Sequence, residues 1–150
     1  MTGRPHILLV AAGATCVLLV LSACAAPSRG GVAERFQNAT CPTSAPLSIV
    51  ESDDQNRVDV ATLHRDYRTA RRALIRSAQA LASQSWPTGL QRDVVVVERD
   101  QLEQARRFDD LQHGLWEGPG DVPGPSQRSK AALLTIRTLL HLTGDEPCGG

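Results

Sequence analysis

Residues 57–117 read RVDVATLHRDYRTARRALIRSAQALASQSWPTGLQRDVVVVERDQLEQARRFDDLQHGLWE, and the spacing of their apolar positions decides the fold. Val60, Leu63, Tyr67, Ala70, Leu74, Ala78 and Leu81 recur at intervals of three or four, the period of one helix face. Trp86-Pro87 stops that helix, because proline disfavours helical backbone in the residue before it and lacks the amide hydrogen that continues the ladder. Thr88 can cap a second helix with Leu90, Val94, Val97, Leu102, Ala105, Phe108, Leu111 and Leu115 inward. Taken alone, the four valines 94–97 favour a strand. Arg92, Arg99 and Arg106 recur every seven residues around them and the apolar period runs on at both sides, so helix is predicted.

Downstream, Gly114 to Pro125 holds four glycines and three prolines and reads as a loop. Ser126 then caps a third helix with Ala132, Leu133, Ile136, Leu139, Leu140 and Leu142 inward and Gly144 as its end. Upstream, Pro42 to Asn56 carries two prolines and the small apolar group Leu47, Ile49 and Val50. It is either an extended segment over the core or an irregular start of the first helix, and the capping-box spacing of Ser52 and Gln55 favours a start near Asp53. The expectation is an all-α fold: a small antiparallel bundle of three helices with room for a short fourth element at 47–56, closed by a disulfide.

That closure follows from the N-terminus. Ile7 to Ala23 is apolar at 14 of 17 positions, behind a segment with one arginine, the pattern of a secretory signal. It ends in Leu21-Ser22-Ala23-Cys24, which resembles the lipobox of bacterial lipoproteins. The resemblance implies cleavage before Cys24 and acylation of its thiol, two or more chains giving stable anchoring where one does not. The other readings are a plain secretory signal cut near Ala25 or Ala26, or an uncut anchor helix. With Cys16 in the signal and Cys24 acylated, Cys41 and Cys148 remain, and an exported pair in an oxidising compartment defaults to a disulfide. Cys24 to Thr40, with Pro27, Gly30 and Gly31, reads as a flexible tether, which makes 41–150 the folded domain.

The charge balance limits the partners. The chain has 16 basic and 16 acidic residues, so no sequence-wide field draws it to nucleic acid. Locally it is uneven, with six arginines against two acids in 57–85 and four against seven in 90–117. Arg65, Arg68, Arg72 and Arg76 form a basic row along the first helix. The favoured reading pairs the row with acids of the second helix, Arg76 with Glu98 and Arg72 near Glu103; the alternative is a dock for an anionic surface such as lipid headgroups or an envelope polymer. His64, His113 and His141 fall near helix ends with no metal-binding spacing, and Trp86 and Trp116 border the second helix as lids on a small core. No catalytic residue, metal site or cofactor motif is expected.

The lipobox, the Gly/Pro tether, Cys41, an Arg/Ala-rich helix ending in Trp86-Pro87 and a last helix before Cys148 together resemble small, largely uncharacterised lipoproteins of actinobacteria. Fifteen arginines to one lysine suit the high-GC genomes of that group. The resemblance implies a place, the outer face of a cell membrane held by a lipid anchor, and no activity. The expected role is non-enzymatic binding or scaffolding in the envelope, with an envelope protein or anionic polymer as partner. The alternative is a small-ligand carrier or enzyme that uses a pocket inside the bundle.

Overall fold

The computed structural model describes residues 29–56, 58–114, 122–142 and 148. The signal segment and Cys24 lie outside them, as do Trp116 and Gly144. The described chain is five α-helices, α1 (Arg29–Thr40), α2 (Ser44–Asn56), α3 (Val60–Ala82), α4 (Thr88–Gln112) and α5 (Gln127–Leu139), with a single 3-10 turn at Cys41–Thr43. Pro42 explains that turn: without an amide hydrogen it cannot continue α1, and the chain tightens before resuming as α2. Hydroxyls meet the carbonyls left over, Thr40 Oγ1 donating to Phe36 O at 2.9 Å and Thr43 Oγ1 to Thr40 O at 2.7 Å.

The line α1–turn–α2 runs antiparallel to α3. Val32, Phe36 and Ala39 share a core with Leu81 near the end of α3, while Val50 packs with Tyr67, Ala70 and Leu74 nearer its start. The four-element bundle is completed by α4, antiparallel to α3, and α5, antiparallel to α4, with Ala132, Ile136 and Leu140 against Leu90, Val94 and Val97. Cys41 and Cys148 are joined as a disulfide across Cα atoms 5.1 Å apart.

Four expectations change. Arg29–Thr40 is helix and not a tether, with Val32, Phe36 and Ala39 no more than 3% exposed. The folded domain therefore includes 29–40, and Cys41 sits inside it rather than at its edge. Ser52 does not begin a helix; it lies within α2, and α3 starts instead from Asp59, whose carboxylate accepts from Ala61 N and Thr62 N, both at 3.0 Å. Thr88 is the first residue of α4 rather than its cap, with the Pro87 carbonyl accepting from Leu90 N and Gln91 N. α5 stops at Leu139, where His141 takes a left-handed backbone (φ 53°) and the His141 and Leu142 amides return to the Thr138 and Arg137 carbonyls. That is a Schellman closure with histidine in the position glycine usually takes.

The hairpin of α3 and α4 is fastened at its turn. Trp86 Nε1 donates to Leu81 O at 2.8 Å, the Phe36 ring meets the Trp86 ring edge-on with centroids 6.0 Å apart, and the Arg35 guanidinium lies 5.8 Å from the Trp86 ring centre. Trp86 thus lids the core, as the sequence suggests.

Candidate functional site

α3 is the most enclosed helix, with α1, α2 and α4 all packed against it. At 100° per residue, Ala70, Leu74, Ser77 and Leu81 define its buried side, and Arg65, Arg68, Arg72 and Arg76 fall almost diametrically opposite. All four arginines are exposed, spaced over about 16 Å at the helical rise of 1.5 Å per residue. Arg65 Nε lies 3.6 Å from its neighbour Asp66, and among the described residues no carboxylate pairs with Arg68, Arg72 or Arg76. The expected pairs with Glu98 and Glu103 are absent there, and Glu103 instead bonds Arg107 on its own helix at 2.6 Å. The ion pair that does cross to α4 is Arg71 to Asp109, 3.2 Å. Arg71 lies at the edge of the buried arc, where a guanidinium can reach sideways. The antiparallel pairing is as read from the sequence, but the rotation of α3 about its axis turns the basic row to solvent.

The histidines are scattered. Gln112 Nε2 donates to His64 O at 3.0 Å, His113 Nδ1 is 2.7 Å from Asp109 O, and His141 closes α5. His64 and His113 are thus at one end of the α3–α4 hairpin, and His141 is at the other. Among the described residues, no three His, Cys, Asp or Glu side chains gather as a metal site, and no helix is long and apolar enough to cross a membrane. α2 and α3 bring two carboxyls together: loss of surrounding water and the Asp66 carboxyl raise the pKa of Asp53 above the usual 3.8. Burial also raises the Tyr67 phenol, with the Asp54 charge adding to it.

A polar layer crosses the middle of the bundle, and periodicity could not show it. Asp100, 8% exposed, accepts from Gln104 Nε2 at 2.8 Å and from Ser126 N at 3.2 Å, tying α4 to the start of α5. A carboxyl at that helix N-terminus is favoured by the helix dipole. Ser126 Oγ then accepts from Ser129 N at 3.2 Å. Ser77 Oγ and the amide oxygens of Gln101 and Gln104 are buried without a partner among the described residues. Each such group costs about 1–3 kcal/mol of desolvation.

Next to this layer lies a cavity of about 220 Å³. Its floor is Leu74, Val97, Gln101 and Gln104. One wall is the 3-10 turn and α2, with Thr43 and Leu47, and the other is α5, with Ser129 and Leu133. Cys148 stands at the margin, bonded to Cys41 of the 3-10 turn. The gap exists because α5 packs chiefly on α4, leaving the line α1–α2 and α5 apart. No histidine lines it.

No family model, curated protein or solved structure matches this chain. Sequence and geometry alone therefore carry the functional reading.

Proposed function

We propose that this chain is a membrane-anchored envelope lipoprotein, acylated at Cys24, with a non-enzymatic binding or scaffolding role, and that the arginine row of α3 is its contact with anionic headgroups. The observation that carries the reading is the outward orientation of Arg65, Arg68, Arg72 and Arg76, three of them with no carboxylate partner among the described residues. An arginine near an anionic membrane surface contributes about 1 kcal/mol, so four aligned on one face make a useful secondary contact for a domain already held by lipid. Because α1 begins at Arg29, only four residues separate it from Cys24, a reach of at most about 18 Å over five Cα steps. The domain is thereby held within touching distance of the surface its row would meet.

The test is co-sedimentation of the unacylated mature chain with vesicles of neutral lipid or of neutral lipid mixed with phosphatidylglycerol. The expected result is salt-sensitive binding to the anionic vesicles alone, abolished by Arg68→Glu with Arg72→Glu and Arg76→Glu. Binding that survives the triple substitution removes the row as the contact. Mass spectrometry of the native N-terminal peptide tests the anchor: acylated Cys24 is expected, and a free terminus at Ala25 or beyond overturns it.

A further inference from the structure

We propose that the cavity between the 3-10 turn and α5 is a binding site for a small, mainly apolar molecule bearing an N–H or O–H donor. The proposal is independent of the arginine row. Its first support is size: cavities of about 150 Å³ accept benzene, so one of about 220 Å³ accommodates, in proportion, about nine heavy atoms. Its second is composition. Leu74, Val97, Leu47 and Leu133 offer carbon, while Gln101 and Gln104, 7% and 5% exposed, set amides into the floor. Among the described residues, neither amide oxygen has a donor.

Two unpaired buried acceptors beside a cavity are costly twice over, and leucine at position 101 would relieve both costs by removing a polar group and adding carbon. A ligand that brings carbon to the space and a donor to an amide relieves them as well, with a turn of the Gln101 terminal torsion presenting the oxygen while Gln104 keeps its bond to Asp100. Access has a structural basis too. The α5 wall packs chiefly on α4, so it can part from the 3-10 turn.

Indole and its isostere indene, which lacks the donor, serve as probes in a titration followed by side-chain amide and methyl NMR signals of the full disulfide-bonded domain. Indole is expected to shift Gln101, Gln104 and Leu133 and to bind roughly ten-fold more tightly than indene, the margin of one net hydrogen bond. Gln101→Leu with Gln104→Leu should erase that margin while indene still binds, and Leu133→Trp should block both probes. Neither probe shifting these signals, or equal affinities unchanged by the glutamine substitutions, overturns the proposal. So does a crystal structure with ordered water on both amides that persists at saturating indole. Should Leu133→Trp fail to fold, the glutamine pair decides alone.

Discussion

In the half of the bundle under α5, four elements meet around Val32, Phe36, Leu81, Leu90, Val94 and Ile136, a mostly aliphatic core lidded by Trp86 and closed by the disulfide. In the other half α5 is missing, and α2, α3 and α4 enclose Val50, Ala70, Leu74 and Ala105 with two rings, Tyr67 and Phe108, whose centroids are 5.6 Å apart. Where α5 is lacking, aromatic area substitutes for it, because each ring buries a large apolar surface in a single side chain. The difference shows how the chain divides its means of stability: the first half leans on a covalent tie and many small contacts, the second on a few large ones.

Phe108→Ala is the most direct way to break the comparison. Phe108 is 0% exposed and has no fourth helix that could collapse into the space it leaves, so the loss should be about 3–5 kcal/mol. Ile136→Ala, equally buried at 0%, should cost less, near the lower end of about 2–5 kcal/mol, because α5 packs chiefly on α4 beside a cavity and can settle inward. Denaturant titration of both variants checks the order, and equal losses would mean that the two halves are packed alike.

Removal of the disulfide sharpens it. The bond spans 107 residues, and Cys41→Ser with Cys148→Ser should lower stability by about 2–5 kcal/mol. The informative readout is local. Amide exchange at Ala132 and Ile136 should accelerate well before that at Ala105 and Phe108, since the tie fastens the chain that follows α5 to the 3-10 turn and joins no residue of the aromatic half. Uniform acceleration would show one cooperative unit.

The same division explains what the sequence discloses. α3 and α4 are long and amphipathic, and Tyr67, Leu74, Leu81, Val94, Val97 and Phe108 are buried as their period predicts. The period overreaches where no neighbour covers it: Val60 is 66% exposed at the open start of α3, and Leu139 is 48% exposed because α5 buries only the narrow face that meets α4. α1 was legible in Val32, Phe36 and Ala39, spaced four and three, but Gly30 and Gly31 at its start and Pro42 after its end read as linker. The basic row was legible as a row, but its direction was not, since that depends on which sides of α3 the other helices occupy. The glutamines of the cavity leave no trace in an apolar period, because they hold positions that pattern reading assigns to solvent.

The smallest expected effect concerns the open half alone and turns on two acids with opposite linkage. Asp59, hydrogen-bonded to the side chain and backbone of Thr62 and to the backbone of Ala61, has its pKa held below 3.8. A lowered carboxyl stabilises the fold fully above its unfolded value and loses that contribution as pH falls through the folded one. Asp53 runs the other way, since a raised carboxyl imposes a penalty above its folded pKa, and the penalty disappears once pH drops below 3.8. Asp59→Ala should therefore lower the midpoint of unfolding at pH 7 and have little effect in strong acid. Asp53→Asn should raise the midpoint at pH 7, by relieving the contact with Asp66, and lose that advantage as the wild-type carboxyl takes up its proton. Thermal melts of both variants between pH 7 and pH 2.5, read at the Tyr67 signal, test the pair. If Asp53→Asn destabilises at pH 7, the attraction of the Asp53 charge to Arg65 holds α2 against α3 more strongly than the Asp66 carboxyl pushes them apart, and the open half is better fastened than its missing helix suggests.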